Sequence, residues 1–578
     1  MRRTSEDTGG FVLSALVTLA ALGVFGCRAS GAEQAEKHTS GPSGSGAEAG
    51  AGDAAGAGPG AIAHRAAPLP LRLTPPVALL ASFAGEAPSA GAAPEAGSSF
   101  WPSRGLSRGL TLSALLPFRW GSQAPEGAAL QAIAGTTLVG GHSYAYLSEL
   151  TSGYGPRLTG SRAHAGAARW ALETFRKLGV DDARLEEFDF ASGWERGPVT
   201  LRALGPEGRQ LAAEALGWAP SPRGGSLTAE LVLIESLSEA AERAHELRGK
   251  ALLPARPDTP RDLAVRQRAI KALSEAGVAA IVSRGRRHNN EPNARACFGC
   301  GSLVAPLPMV EVGFEDGAWL ERRIKEGGVT INLANASRLT GPLKVPNVIA
   351  EVRGRERPDE YVLVGAHLDA WDFATGAQDD GAGVAQVIET ARAVLASGVR
   401  PRRSIRFALW AGEEQGLYGS RAYVKRHARE LDRLVAVVNA DHGAGAPRGW
   451  WLDARPDLLE RFGPLAKRLF GGLGAAQLKD EFHCDTDHCP FVLEGVPTFD
   501  LEVEEQAYDE VHHAPSDTLD EVNERDLAAG AACVATAAYA LADLPERVGP
   551  RLSHDKVTEN LRASGALDDL IAEGLYAP

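Results

Sequence analysis

Basic stretches are missing from this chain. Its 60 Lys and Arg are outnumbered by 73 Asp and Glu, giving a net charge of −13 over 578 residues with no Lys/Arg stripe. Without that electrostatic footprint the sequence argues against a nucleic-acid partner. Long hydrophobic runs are scarce as well. The apolar stretch "FVLSALVTLAALGVF" at 11–25 is short for a helix that spans a bilayer. Cysteine is sparse, six in all. The pairs in "CFGC" (Cys297, Cys300) and "HCDTDHC" (Cys484, Cys489) suit a redox motif, a zinc site or a local disulfide by spacing. Zinc would need a second Cys/His pair at tetrahedral spacing, and "CFGC" has no obvious one, which favours short disulfides and an oxidising compartment. Cys533, in an Ala-rich helical run, reads as a buried free thiol. Periodicity is absent from residues 28–60, an Ala/Gly/Ser-rich stretch that cannot bury enough apolar surface to offset chain entropy. Residues 61–130 keep a Pro/Ala/Gly bias, so 28–130 is expected to be a low-complexity disordered linker.

What remains is ample for folding. With 44% apolar and 23% charged residues the chain reads as globular, and its length exceeds what one hydrophobic core fills. "MRR" followed by the apolar run reads as an export signal over residues 1–27. Its end at "VFGC" resembles a bacterial lipoprotein signal, which implies a lipidated Cys27 and attachment to a membrane surface; Phe25, Glu6 and Asp7 depart from that pattern. The expected location is therefore the cell envelope or the outside of the cell. Folded sequence is expected to start near residue 135, with two helical stretches around the Gly/Pro-rich turn "GYGPRLTGSR". Residues 196–340 change texture: "ELVLI", "KALLP", "AAIVS", "PMVEV" and "VTINLA" alternate with turns, and a helix is predicted at about 262–276. This reads as a small β-rich domain with a helix or two. From 346 onward strands and helices alternate: "NVIAEVRG", "YVLVGAH", a helix at 382–397, "SIRFALW", a helix at 417–430, "LVAVVNAD", a helix at 456–470 and "PTFDLEV". The fold class expected is α/β, a mostly parallel mixed sheet covered by helices on both faces. Its halves, 135–195 and 341–545, are interrupted by the 196–340 block, and 546–578 is left as a C-terminal tail with the helical pattern "ENLRASGALDDLIAEGL".

The polar residues fall where such a sheet binds ligands, outside the carboxyl ends of its strands. His367 and Asp369 follow "YVLVGA", Asp379 and Asp380 open the next helix, and Glu413 and Glu414 follow "SIRFALWAG". Asp441 ends "LVAVVNAD", and His513 lies in "YDEVHHAPSDTL" after the strand at 497–503. Each piece alone has a bland reading: a capped loop His, a solvated acidic turn, a helix cap. Together they form a set of imidazoles and carboxylates, the ligand types that suit zinc. Two His with three or four carboxylates exceed the needs of one ion. They suit two, roughly 3.5–4 Å apart, bridged by one carboxylate.

The order and spacing of "HLDAWDFATGAQDDGAG", "AGEEQGLYGS", "NAD", "TDHCPF" and "HHAPSDT" resemble the di-zinc exopeptidase family that includes bacterial leucyl aminopeptidases, carboxypeptidase Q and glutamate carboxypeptidase. The Trp-Asp after "HLDA" looks most similar to the carboxypeptidase Q branch. The resemblance covers roughly residues 135–545 and implies a protease-associated domain for the inserted block. It implies that His367, Asp379 and Asp441 bind one zinc and that Asp379, Glu414 and His513 bind the other. His513 is preferred over His512 because it stands four residues before the Asp of "SDT". The resemblance further implies Glu413 as general base, Asp369 as the acid that orients His367, and a cis peptide between Asp379 and Asp380. Gly381 and Gly383 leave room for close backbone approach. His488 either donates a hydrogen bond to the oxyanion or is a structural His beside a disulfide.

The activity implied is hydrolysis of terminal peptide bonds in short peptides or dipeptides, with Glu413 moving the proton from water to the leaving amine. Aminopeptidase polarity is the alternative to carboxypeptidase or dipeptidase polarity; Glu502, Glu504, Glu505 and Asp509 are acids near the motif that a free amine would want, or a solvated edge. A non-catalytic relative of the transferrin-receptor kind would keep the fold and lose ligands. A glutaminyl-cyclase type fits poorly, since that branch lacks the insertion and uses one zinc. The inserted block either restricts access to short peptides or serves as a structural or dimerisation module, so a homodimer is a further expectation.

Overall fold

Every residue of "YVLVGAH" is buried, and that continuous apolar run makes the central strand of the molecule, Arg357–His367. In the computed structural model, which describes residues 125–256, 263–297, 300–572 and 575–578, this strand lies parallel between Arg403–Trp410 and Leu434–Asn439. The expected signal at 1–27, Cys27 and the linker up to residue 124 lie outside the described residues. Thr498–Val503 continues the parallel set beside Leu434–Asn439. Arg338–Val352 and Asp182–Glu195 extend the other edge in antiparallel register. Two short strands not foreseen from sequence, Pro447–Trp451 and Gln477–Lys479, complete an eight-stranded mixed sheet.

Strand pleating sends alternate side chains to opposite faces. Val362, Val364 and Ala366 join one core with helices Pro125–Gly140, Ser143–Tyr154, Arg162–Leu178, Ala382–Ala396 and Glu524–Asp543. Tyr361 and Leu363 join the other, with Trp410, Tyr423 and Phe491. Local sequence sets the helix ends. Ser161 caps Arg162–Leu178 by accepting from the His164 N–H, and Gly179 closes it at φ 85°. Cys533 is a buried free thiol in the Ala-rich helix, and Cys297–Cys300 and Cys484–Cys489 are disulfides. Among the described residues no helix is long and apolar enough to cross a membrane.

The strands that lead into and out of the inserted block are paired as far as Glu195↔Arg338, so the chain leaves and re-enters the main sheet at adjacent points. Between them lies a second eight-stranded sheet. All five expected apolar runs are strands in it, four of them adjacent and parallel: Ser226–Ile234, Ala251–Pro254, Ala280–Arg284 and Met309–Val312. Its two long helices are Leu263–Ala276, at the position predicted from sequence, and Phe314–Gly327. Phe314–Gly327 was hidden by its charge, because only its inner face is apolar.

One boundary differs from the sequence reading. The first helix begins at Pro125, ten residues before the expected start, and buries Ala129, Leu130 and Ile133. Its Ala/Gly texture masked the helix, yet small residues are what allow it to lie close against the Ala-rich Glu524–Asp543 helix. The helical pattern of the tail is present as helix. Helices His554–Ser564 and Leu567–Ala572 form a cluster with Phe482 and Leu493, which flank the Cys484–Cys489 disulfide. The early start of the fold is testable. Ile133→Ala is expected to lower unfolding stability by about 2–5 kcal/mol in a denaturant titration; a loss below 0.5 kcal/mol, estimated as a surface-like effect, would contradict a core role for this helix.

Candidate metal centre

Three parallel strands end side by side, and each delivers an acid or imidazole within three residues of its last position. His367 is the final residue of its strand. Asp441 follows Asn439 by two and Glu413 follows Trp410 by three. Asp379 and Asp380 come from the turn before helix Ala382–Ala396, which Gly376 enters at φ 60°, where a Cβ would lie 2.3 Å from that of Ala370. The Asp379–Asp380 peptide is cis. Gly383 is equally constrained: a Cβ there would stand 2.1 Å from the Ala440 carbonyl oxygen.

Asp379 sits at the middle. Its Oδ1 lies 3.0 Å from His367 Nε2, and its Oδ2 lies 3.4 Å from His513 Nε2. His367 Nε2 also faces Asp441 Oδ1 at 3.3 Å and Glu413 Oε2 at 3.8 Å, while His513 Nε2 meets Glu414 Oε2 at 2.9 Å. His367, Asp379 and Asp441 each offer a ligand atom within 4.8 Å of the others, and so do Asp379, His512 and His513. His512 is the more exposed of the two histidines and stands 3.7 Å from Asp379.

The electrostatics of this group are unbalanced. Burial first, and then neighbouring carboxylates, hold Glu413, Glu414 and Asp380 well above the usual carboxyl range; Asp441 is also raised by burial, against the pull of His367. Asp487 is pushed up to about 8, mainly by burial. Asp379 alone goes the other way: burial would raise it, but the hydrogen bond and charge of His367 hold it low. Burial would likewise depress His367, yet Asp441 and Glu413 carry it well above an ordinary imidazole. Glu414 Oε1 is buried with no hydrogen-bond partner. Arg157 is the buried guanidinium whose charge acts on this group, and its N–H groups donate to the carbonyls of Gly155, Leu368, Thr375 and Gly376. A donor set this acidic, with an orphaned carboxylate oxygen inside it, fits bound cations.

One expected role changes. His367 Nδ1 donates to the backbone carbonyl of Asp369 at 2.9 Å, while the Asp369 carboxylate stands 3.8 Å away. The carboxylate instead accepts from Thr159 Oγ1 at 2.7 Å and from the Glu413 N–H at 3.3 Å. It therefore positions the Glu413 loop, and the carbonyl orients the imidazole. A second expectation fails. His488 is fully buried, with Thr486 Oγ1 at 2.9 Å from Nδ1 and the His483 carbonyl at 2.9 Å from Nε2. Asp453 lies 3.3 Å from Nε2. Its ring is fully engaged beside the Cys484–Cys489 disulfide, so it takes the structural alternative and not that of an oxyanion donor. Glu502 and Glu504, weighed as amine-binding acids, pair with Lys479 and Arg448.

The family model for peptidase family M28 matches residues 347–538, the stretch that carries His367, Asp379, Glu413, Glu414, Asp441 and His513. A peptidase M28 precursor from Shewanella amazonensis is 30% identical, with 74% of this chain and 99% of that one aligned at a TM-score of 0.65. The chain belongs to peptidase family M28. Mouse carboxypeptidase Q is 28% identical over 410 residues, 70% of this chain and 86% of that protein. A zinc aminopeptidase from Bacillus subtilis shares the fold at 23% identity and a TM-score of 0.57, covering 71% of this chain and 97% of its own.

Several supports of this M28 site escaped the sequence reading. Asp517 Oδ1 accepts from the N–H groups of Ala377 and Gln378 at 2.9 and 2.7 Å, and Oδ2 from that of Asp379 at 3.2 Å. The "SDT" that served only to choose between two histidines thus pins the turn that presents Asp379. The inserted block grips the His512–His513 loop: Ala294 N–H donates to the His513 carbonyl at 2.7 Å, and Arg287 donates to the carbonyls of Asp509, Glu510 and His512. These partners are over 100 residues apart, and no local signal marks them. Thr159 Oγ also accepts from the Gly412 N–H at 2.9 Å. Thr159→Val keeps the shape but strands two buried groups, so about 1–3 kcal/mol of stability per group should be lost; unchanged denaturant unfolding would contradict this support of the Glu413 loop.

Proposed function

We propose that this M28 peptidase is a zinc-dependent exopeptidase that hydrolyses terminal peptide bonds of short peptides or dipeptides. The observation that carries the reading is the split of Asp379, one carboxylate oxygen toward His367 and the other toward His513. Two zinc ions would be held by His367, Asp379 and Asp441 on one side and by Asp379, Glu414 and His513 on the other. His513 is preferred over His512 because it also reaches Glu414. Bound zinc supplies an acidified water and an electrophile for the scissile carbonyl.

The chain's own groups do the rest. Glu413, with Oε2 3.8 Å from His367 Nε2 at the edge of the ligand group, is placed to take a proton from water and hand it to the leaving amine. Asp369 holds its backbone in place. His367 keeps its Nε2 turned to the carboxylates because Nδ1 is committed to the Asp369 carbonyl. A receptor-like relative would not need this converged set. The mouse relative's name points to carboxypeptidase polarity and the Bacillus subtilis neighbour's to aminopeptidase polarity. Comparing dipeptides with free, acetylated and amidated ends reads out which terminus is bound.

The same proposal includes a protease-associated-like role for the 196–340 block, restricting access to short substrates or building a homodimer, with 135–195 and 341–545 as the peptidase domain. It also includes export, with Cys27 lipidated or the chain secreted; two disulfides fit an oxidising compartment. The test is Glu413→Gln on the full chain. Hydrolysis of a dipeptide is expected to fall by roughly 10²–10⁴-fold, the usual worth of a general base, with zinc content unchanged. Chelation should abolish wild-type hydrolysis and added zinc restore it. Full activity in Glu413→Gln, or in the chelated enzyme, would overturn the reading.

A further inference from the structure

A second cluster of metal-binding types lies on the other side of Asp441 in the chain. His442, His483 and Asp485 each offer a ligand atom within 4.8 Å of the others, and none of them belongs to the Asp379 group. His442 follows the Leu434–Asn439 strand; His483 and Asp485 lie on the loop between Gln477–Lys479 and the Cys489–Leu493 helix. Asp485 is 6% exposed, and neither carboxylate oxygen has a hydrogen-bond partner. Its nearest cationic group is His483 Nε2 at 3.3 Å, and no Lys or Arg pairs with it among the described residues. His483 Nδ1 is buried and faces Asp500 Oδ2 at 3.9 Å, which turns Nε2 toward Asp485.

The surroundings orient these side chains. His442 Nε2 lies 2.6 Å from Asp500 Oδ2, the partner that would fix its tautomer with Nδ1 as the free lone pair. Trp451 stacks on His483 at 4.4 Å, and the His483 N–H donates to Asp453 at 3.0 Å. The Cys484–Cys489 disulfide closes the loop around Asp485. A buried carboxylate left without donors is costly, whereas two imidazoles and one carboxylate with an open fourth position are a common zinc set.

We infer that His442, His483 and Asp485 form a further site for a divalent transition ion of the zinc class, separate from the Asp379 centre. The ion ties the disulfide loop to the end of the Leu434–Asn439 strand. The alternative is no ion at all, only the His483–Asp485 ion pair.

Counting zinc per chain by mass spectrometry on the full-length protein, loaded with zinc and freed of excess by gel filtration, separates the two. Three zinc per chain are expected in the wild type, and two in the double variant His483→Gln, Asp485→Asn. Asp379→Asn should lose zinc from the other centre only, so a failure of that centre and of this one give different patterns. If the double variant does not fold, Asp485→Asn alone is titrated with zinc; one class of site should weaken by at least about tenfold. A zinc count that is the same in wild type and double variant, or titrations that do not differ, would overturn the site.

Discussion

Negative charge buried at the carboxyl edge of a parallel sheet is the constraint on which this structure turns. Asp379, Asp380, Glu413, Glu414, Asp441 and Asp487 are all buried near His367 and Arg157. Left uncompensated, such a group would be strongly destabilising, because each ionised carboxylate loses its hydration. The rise of most of these carboxyls above their ordinary range expresses the same conflict. Positive charge placed between Asp379, His367 and His513 resolves it, and the proposed zinc pair is that charge.

Much of the polar core outside the centre exists to hold these groups still. Arg157 ties together the loop after the His367 strand, Asp517 collects the N–H groups of the turn that presents Asp379, and Asp369 collects the Glu413 N–H. Asp380 turns back to accept from the His367 and Gly383 N–H groups, leaving Asp379 to face inward. The inserted block contributes at the rim, where its Arg287 and Ala294 hold the loop that carries His513. It enters and leaves through neighbouring strands, which lets an independent sheet be added without disturbing the edge where the site lies.

The sequence was most legible where the chemistry is local to a strand end. "YVLVGAH", "SIRFALW" and "LVAVVNAD" are strands of one sheet, and the residues just beyond them converge, because parallel strands flanked by helices have only one edge at which such residues meet. The cis peptide and the two short disulfides were legible through resemblance and spacing. What was not legible depends on distant partners. Whether His367 meets the carbonyl or the carboxylate of Asp369 is a matter of about an ångström. His488 turned away because Thr486, Asp453 and the His483 carbonyl claim both its nitrogens. The helix at Pro125–Gly140 was concealed by an Ala/Gly composition that looks like linker until a second Ala-rich helix is present to receive it.

The central claim is that the Asp379 carboxylate is shared by two ions. Anomalous scattering at the zinc edge from crystals of the full chain tests it most directly. The account predicts two peaks flanking Asp379, roughly 3.5–4 Å apart as in other two-metal sites, one beside His367 and Asp441 and the other beside Glu414 and His513. A single peak there, or no peak within reach of Asp379 in zinc-loaded crystals, would contradict it.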